Sequence, residues 1–254
     1  MIWRVIPLTV NKAAVNMAID SAILDEVSVG RSPPTLRLYR WKPSAVSVGY
    51  FQSVNEEVDV EACKKSGVDI VRRITGGGAV YHSYEGEITY SVIVPENYEG
   101  IPKDIISSYE LICSGIVKAL SWLGLKAEFK PVNDIQVDGK KISGNAQTRR
   151  KGVILQHGTI LLDLNVKEMF NFLKVSKEKI SDKLIKSVEE RVASLTTLTG
   201  VKPDFTKISQ LLIKGFSESL KFNYKFNSLT PIEETLVKEY EVNQFNNIKW
   251  VFRR

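Results

Sequence analysis

A run of three glycines, Gly76–Gly78, lies between two strand-like segments and constrains this chain more than any other feature. Val68–Arg73 leads into the run and Ala79–His82 continues from it. Glycine has no Cβ, so such a loop permits positive φ and lets backbone N–H groups converge on an anion. No Gly-Lys-Ser/Thr follows, and the run opens a strand rather than a helix, which excludes a Walker P-loop and a dinucleotide fingerprint.

Two arginines, Arg72 and Arg73, stand at the entry of the glycine loop. Because neighbouring strand residues point to opposite faces, one of the two is expected to face the loop, where its guanidinium could hold a phosphate. With Thr75 and His82, the loop is interpreted as a site for phosphate and carboxylate groups. On these residues alone, a glycine-rich turn with surface arginines remains the alternative.

A second polar cluster follows between residues 131 and 147. Asn133–Asp134 suits Mg2+ or the edge of a nucleotide, and Lys140–Lys141 follows a tight Asp138–Gly139 turn. On a strand, one of these lysines can face a site while the other faces water. Ser143–Ala146 is small enough for a flat base to lie against its backbone. An exposed hairpin with solvated lysines is the alternative.

A third polar group, His157-Gly-Thr159, opens a strand. A lone histidine is more often structural than catalytic, so both roles stay open. His82 and His157 are the only histidines, and Cys63 and Cys113 the only cysteines. This argues against a multi-histidine metal centre, a zinc site and a disulfide framework. Reduced thiols in a cytoplasmic protein are the simplest interpretation.

The composition is that of a globular protein, with 43% hydrophobic and 25% charged residues among 254. A net charge of +6 favours anionic partners, although it could serve solubility alone. No apolar run approaches the roughly 18 residues of a membrane span, and no signal peptide is evident. Neither a recognition helix nor an aromatic-stacking motif for nucleic acid is evident. Neither a membrane nor a nucleic acid is therefore expected as a partner.

Hydrophobic periodicity predicts one α/β domain with a mixed, largely antiparallel sheet, because hairpin-like neighbours outnumber strand–helix–strand units. Strands are predicted at 35–40, 45–51, 68–73, 79–82, 88–94, 135–137, 141–143 and 153–162. Helices are predicted at 11–27, 55–66, 105–123, 166–174, 204–220 and 232–240, so the chain is helix-rich from about residue 165.

These motifs together resemble the lipoate–protein ligase family. The resemblance is carried in order by Arg72–His82, Asn133–Asp134, Gly139–Ala146 and His157–Leu162. Asn16–Asp20 and Ser47–Gln52 also look like family segments, so the resemblance covers nearly the whole chain. It implies the biotin/lipoate ligase fold, which is related to class II aminoacyl-tRNA synthetases.

The resemblance implies an ATP-dependent ligase that activates lipoate or octanoate to an acyl-AMP and then transfers the acyl group to a lysine. Lys141 would be the catalytic residue, and ATP with Mg2+ would be required, Asp134 being a candidate metal ligand. The implied ATP and acyl-adenylate site comprises Arg73, Thr75, Gly76, Gly77, Gly78, Ala79, His82, Asn133, Asp134, Gly144, Asn145, Ala146, His157, Gly158 and Thr159. The implied lipoyl pocket comprises Met17, Ile19, Tyr39 and Val48.

The resemblance also implies partners. Acceptors would be the lipoyl domains of 2-oxoacid dehydrogenases or the glycine-cleavage H protein. Single-chain ligases of the family usually carry a small C-terminal domain, and residues 1–254 are expected to form the catalytic domain alone. A separate small accessory subunit is therefore predicted.

Two alternatives remain beside the ligase. Four segments look very like cysteine-dependent octanoyltransferases of the same fold, which take octanoate from acyl carrier protein. They are Gly49–Gln52, Ile88–Val94, Gly144–Arg149 and Lys151–Gly158. Those enzymes carry a cysteine before the Gly-Lys-Lys hairpin, whereas Lys130–Ile135 has none here. The ligase is therefore the main prediction. A non-catalytic regulator that binds lipoate or nucleic acid is a second alternative, which the presence of Lys141 disfavours. The family's His-Asp pair is His82-Ser83 here.

Overall fold

The computed structural model describes residues 2–174 and 182–254 of the chain. Its strands are β1 (Ile2–Asn11), β2 (Thr35–Trp41), β3 (Ala45–Val48), β4 (Asp69–Arg72), β5 (Val80–His82), β6 (Glu87–Pro95), β7 (Ala127–Lys130), β8 (Asp134–Val137), β9 (Lys140–Arg150), β10 (Val153–Leu161) and β11 (Asn223–Phe226). Its α-helices are α1 (Ala13–Ser28), α2 (Val54–Glu57), α3 (Val60–Ser66), α4 (Ile105–Ser121), α5 (Val166–Phe172), α6 (Asp182–Glu189), α7 (Leu195–Thr199), α8 (Phe205–Ser219), α9 (Pro231–Tyr240) and α10 (Ile248–Val251). A π-helical segment, Glu241–Phe245, follows α9.

The described strands form an eight-stranded sheet and a three-stranded sheet. The large sheet has the order β11-β1-β2-β6-β10-β9-β8-β7. Strand β1 runs parallel to β11 and to β2, and the other neighbouring pairs are antiparallel. In the small sheet, β3 pairs with β4 in parallel and with β5 antiparallel. This confirms the prediction of a mixed, largely antiparallel sheet.

Helices cover both faces of the large sheet. Leu36 and Leu38 of β2 face a cluster that contains Ile112 of α4 and Phe216 of α8, whereas Tyr39 belongs to the cluster beneath α1. The alternation follows from the period of two along a strand. The sheet therefore has a hydrophobic cluster on each side, and its α1 side leads to the site described below.

The small sheet presents the glycine loop, and its two arginines point in different directions. Arg72 is fully buried and donates to the carbonyls of Gly49, Gln52 and Val251, so it ties β4 to α10. Arg73 turns toward the loop. The expectation that one arginine of the pair faces the loop is met by Arg73.

Several elements differ from the sequence-based prediction. The single helix predicted over 55–66 is two short helices, α2 and α3, because Val58 between them bridges to Leu173 and Asp59 caps α3. Strands β1, β7 and β11 were not predicted. Strand β1 has four consecutive buried residues instead of an alternation, and β7 and β11 span only four residues each, those of β11 mostly exposed. Strand β9 continues to Arg150, well beyond the predicted 141–143. Among the described helices, none is long and apolar enough to cross a membrane.

Candidate active site

A cavity of about 350 Å³ lies between the glycine loop, β9 and β10. Most of the site residues expected from the sequence line this cavity. They are Met17, Tyr39, Arg73, Gly77, Gly78, Ala79, His82, Asn133, Lys141, Gly144, Asn145, Ala146, His157, Gly158 and Thr159. Its further apolar wall comes from Trp41, Val80, Tyr81, Leu161, Leu164, Met169, Leu173, Val188 and Val192. The cavity is thus a mainly apolar slot with a few polar groups, as in many small-molecule sites.

Two residues predicted for the lipoyl pocket lie elsewhere. Ile19 is two residues from Met17 on α1, a rotation of about 200°, so it packs beneath the helix instead of at the cavity. Val48 follows Ser47 on β3 and points to the opposite face, into the hydrophobic cluster of the small sheet. Apolar surface not expected from the sequence comes instead from Leu161, Leu164, Met169, Leu173, Val188 and Val192, beside Trp41, Val80 and Tyr81.

Three residues predicted for nucleotide binding also lie outside the cavity wall. Thr75 is fully buried and contacts His157, and the Gly76 carbonyl accepts a hydrogen bond from Arg73. Asp134 forms an ion pair with Lys141. Each of the three therefore contacts a residue of the cavity wall without being part of the wall.

Arg73 holds the glycine loop in place. Its guanidinium donates to the carbonyls of Gly76 (2.9 Å) and Gly78 (2.6 Å), and to both the carbonyl and the Oγ of Ser47 (3.0 Å each). Burial lowers the pKa of Arg73 to about 10, so the group remains charged at neutral pH. A Cβ at Gly77, whose φ is +94°, would lie 3.0 Å from this guanidinium. The loop geometry is therefore built around the arginine.

Lys141 stands at the start of β9 with its side chain 40% exposed. Its Nζ lies 2.7 Å from Asp134 Oδ1, and its backbone is fixed by hydrogen bonds to Arg191 and Ala193, each 2.8 Å long. A Cβ on Gly144 would come within 2.9 Å of Lys141 Cε and Nζ. Gly144 thus makes room for the lysine stem, and the ammonium group reaches the cavity.

Two asparagines cross-link the strands beneath the cavity. Asn145 Nδ2 donates to the Asn133 carbonyl at 2.9 Å, and Asn133 Nδ2 donates to the Asn145 carbonyl. Asn145 Oδ1 accepts from the Tyr90 hydroxyl at 2.7 Å. Gly158 is required beside them, because a Cβ there would lie 2.0 Å from Asn145 Oδ1.

His82 lies between a hydroxyl and a carboxylate in the cavity wall. Its Nδ1 is 2.7 Å from Glu87 Oε1, and its Nε2 is 2.8 Å from Ser47 Oγ. Trp41 stacks on the ring with a centroid distance of 4.1 Å. An ionised carboxylate only accepts, so Nδ1 carries the proton in the neutral ring and Nε2 accepts from the Ser47 hydroxyl.

His157 has the same kind of neighbours. Its Nδ1 is 3.2 Å from Asp20 Oδ2, and its Nε2 is 2.7 Å from Thr75 Oγ1. Burial lowers the pKa of His157, against the opposing effect of Asp20. Burial would raise the pKa of Asp20, but Arg37 at 2.7 Å and His157 hold it below its usual value.

Sequence reasoning missed Ser47, Glu87 and Asp20 as parts of the site. Ser47 was the most recognisable, because it is a polar residue between two buried valines of one strand. Asp20 carries a similar signal, a charged residue within a mainly apolar helix, whereas Glu87 is the first residue of its strand and carries no local signal.

The described residues do not fit a magnesium site. No group of three or more histidine, cysteine, aspartate or glutamate side chains lies close enough together among them to hold a metal ion. Asp134, the predicted ligand, is paired with the Lys141 ammonium.

The sequence matches the family described as the lipoyl protein ligase A/B catalytic domain over residues 12–217. Among curated relatives, the octanoyltransferase LipM of Kyrpidia tusciae is 38% identical over 96% of this chain and 98% of that protein. The octanoyltransferase LipM of Geobacillus kaustophilus is 36% identical over 100% of this chain and 99% of that protein.

Solved structures with the same architecture are lipoate–protein ligases. The bipartite lipoate protein ligase of Thermoplasma acidophilum, from an archaeal lipoylation system, superposes with a TM-score of 0.88 at 34% identity and covers 99% of this chain and 96% of that one. A lipoate–protein ligase A bound with ATP superposes with a TM-score of 0.84 at 32% identity, covering 99% of each chain. These neighbours confirm the predicted biotin/lipoate ligase fold.

The full-length relatives contradict the main functional prediction from the sequence, an ATP-dependent ligase, and favour its octanoyltransferase alternative. That prediction depended on one local feature, the missing cysteine before the hairpin. The similarity to octanoyltransferases extends over nearly every element of the fold. ATP and Mg2+ were expected only because a ligase requires them, so the octanoyltransferase relatives give them no support.

Proposed function

The chain belongs to the lipoyl protein ligase A/B catalytic domain family, and we propose that it transfers an octanoyl group from the thioester of acyl carrier protein to a lysine of a lipoyl domain. The observation that carries the proposal is the match to octanoyltransferases along the whole of both chains. Lipoyl domains of 2-oxoacid dehydrogenases and the glycine-cleavage H protein are the expected acceptors.

The apolar wall of the cavity supports a medium-chain acyl substrate. Met169 and Leu173 at one part of the wall, with Val188 and Val192 at another, offer only hydrocarbon or thioether surface to a ligand. Each methylene buried there contributes about 0.8 kcal/mol to binding. The volume of about 350 Å³ is that of a small-ligand pocket.

The polar part of the wall supports acyl transfer at the carbonyl. Attack on a thioester creates an oxyanion, which a fixed cation or backbone N–H groups stabilise. Lys141 supplies a cation at the wall, and Gly77 and Gly78 bring backbone to the same cavity. A thioester is already activated, so the reaction requires no nucleotide.

The charge of the chain suits its proposed partners. A net charge of +6 favours association with an acidic carrier protein or an acidic acceptor domain through electrostatic steering. The separate accessory subunit expected from the sequence stays a prediction, which a transfer assay on the purified chain tests directly.

The deciding experiment incubates the purified chain with octanoyl acyl carrier protein and a lipoyl domain, without ATP, and measures the intact mass of the domain. A parallel reaction contains free octanoate, ATP and Mg2+ instead of the carrier. The proposal expects octanoylated domain in the first reaction. A domain whose acceptor lysine is replaced by arginine is the control. Modification in the ATP reaction alone would contradict the proposal.

A further inference from the structure

Ser47, His82 and Glu87 form a hydroxyl–imidazole–carboxylate series at the cavity. Ser47 Oγ lies 2.8 Å from His82 Nε2, and His82 Nδ1 lies 2.7 Å from Glu87 Oε1. Ser47 and His82 both belong to the cavity wall, where they are 1% and 4% exposed. A nucleophile within hydrogen-bond reach of a base, and a base oriented by a third group, is the arrangement of covalent acyl-transfer catalysts.

We propose that Ser47 is the nucleophile that carries the acyl group as an oxygen ester, with His82 as its general base and Glu87 as the positioning residue of the ring. The inference depends on the proposed octanoyl transfer and supplies the acyl carrier that this chain otherwise lacks. The Trp41 ring, stacked on His82 at 4.1 Å, holds the imidazole in the plane that both hydrogen bonds require.

The cysteines are poor candidates for the same role. Cys63 and Cys113 are both fully buried in hydrophobic clusters and neither lines the cavity. Burial raises the pKa of the Cys63 thiol to about 11 and that of Cys113 to about 12. Neither thiol supplies a thiolate to a substrate in the cavity.

Lys141 is also a poor nucleophile in this arrangement. Its Nζ forms an ion pair with Asp134 at 2.7 Å, and an ammonium has no free electron pair. Its charge suits the stabilisation of an oxyanion instead. The hydroxyls of Thr89 and Tyr81, also on the wall, donate to the carboxylates of Glu87 and Glu168 and not to a histidine.

Arg73 supports the role of Ser47 from the other side. Its Nη1 lies 3.0 Å from Ser47 Oγ and donates to it. A buried guanidinium at this distance stabilises the alkoxide character that develops on Oγ as its proton moves to His82. The hydroxyl therefore has a base on one side and a cationic donor on the other.

The reaction balances in two steps. Ser47 Oγ attacks the thioester carbonyl while its proton moves to His82 Nε2, and the tetrahedral intermediate expels the carrier thiolate, which takes that proton. The octanoyl group is then an ester of Ser47. The neutral ε-amine of the acceptor lysine attacks the ester, the Ser47 oxygen leaves, and His82 transfers the amine proton to it. The products are an amide, a free thiol and the regenerated hydroxyl.

The test traps the acyl group on the chain. The purified protein is mixed with octanoyl acyl carrier protein without acceptor, quenched in acid, and analysed by intact mass and peptide mapping. We expect one octanoyl group on the peptide that contains Ser47, released by alkaline hydroxylamine as an ester is. Ser47→Ala should abolish the adduct and slow transfer at least about 1,000-fold.

Three variants separate this role from a structural one. Ser47→Cys should restore a labelled chain, now as a thioester. Ser44→Ala is the matched control, since Ser44 precedes the same strand, accepts one backbone hydrogen bond from Tyr84 and does not line the cavity. The Ser44→Ala chain should still gain one octanoyl group. Glu87→Gln should shift the pH profile of acylation, because a neutral amide no longer stabilises the imidazolium that forms on His82.

The outcomes distinguish the two proposals. Transfer from the carrier that persists in Ser47→Ala, or an adduct that maps elsewhere, would overturn the role of Ser47 and leave octanoyl transfer standing. Absence of transfer from the carrier in the wild type, with transfer from octanoate and ATP, would overturn both. Circular dichroism of each variant checks that a lost adduct does not reflect a lost fold.

Discussion

The two histidines of this chain have matching neighbours but different surroundings. His82 and His157 each contact a carboxylate through Nδ1 and a hydroxyl through Nε2. Both hydroxyl residues are buried, Ser47 at 1% and Thr75 at 0% exposure, but Ser47 belongs to the cavity wall and Thr75 does not. Contacts alone therefore do not identify a nucleophile; a position in the cavity wall is also needed.

The two carboxylates beside these histidines, Asp20 and Glu87, differ in how many elements they contact. Asp20 accepts from Arg37 at 2.7 Å and from Ser91 at 2.8 Å as well as facing His157, so it joins α1 to β2, β6 and β10. Glu87 contacts His82 and Thr89 and has no buried cation beside it among the described residues. The His157 cluster is built to hold elements together, and the His82 cluster to orient one ring.

The largest expected effect comes from removing the charge of Asp20. Asp20→Asn leaves the fully buried Arg37 guanidinium without its partner, which should cost about 3–5 kcal/mol of unfolding free energy. Glu87→Gln leaves no buried cation without a partner, so it should lower the free energy of unfolding by only about 1–2 kcal/mol. Urea denaturation followed by circular dichroism measures both. Equal losses in the two variants would remove the distinction between the clusters.

The next largest effect is expected on the rate of octanoyl transfer. Lys141→Ala should slow octanoyl transfer by about 100- to 1,000-fold, because a donor aimed at the developing oxyanion is lost. Its side chain is 40% exposed, so the free energy of unfolding should change little. Lys140→Ala is the matched control, since the neighbouring lysine does not line the cavity. Similar rates for both variants would exclude Lys141 from the reaction.

The smallest expected effect is a pH dependence of stability from His157. Burial lowers the pKa of His157 in the folded chain, so the unfolded chain takes up the proton first as pH falls below about 6.5. Unfolding free energy should therefore decrease between pH 7 and the lowered folded-state pKa, by at most about 1.4 kcal/mol per pH unit. His157→Gln should weaken this slope. An unchanged slope would show that His157 does not contribute to it.

Local patterns predicted the parts of the fold that depend on nearby residues. Strand β10 and helices α4, α8 and α9 follow from their own periodicity. The parallel pairing of β1 with β11 does not, because it joins residues such as Val5 and Phe226 from opposite ends of the chain. No local pattern records such a pairing.

The same distinction applies to the site. The glycine loop, the Lys141 hairpin and the His157 strand are contiguous motifs, and their resemblance to one family implied that they form one site. Ser47 and His82 are separated by 35 positions, and Asp20 and His157 by 137. These contacts depend on how β3 pairs with β5 and how α1 packs on the sheet. Tertiary structure brings His82 to its hydroxyl and His157 to its hydroxyl and carboxylate, whereas Glu87 is only five positions from His82.

The most direct measurement of the central claim is a pulse–chase experiment on the isolated acylated chain. The protein is loaded from octanoyl acyl carrier protein, separated from the carrier, and mixed with a lipoyl domain in the absence of ATP. The account predicts that the octanoyl group leaves Ser47 and appears on the acceptor lysine, one group for each chain loaded. A chain that gains no octanoyl group, with a domain modified only when octanoate and ATP are supplied, would contradict it.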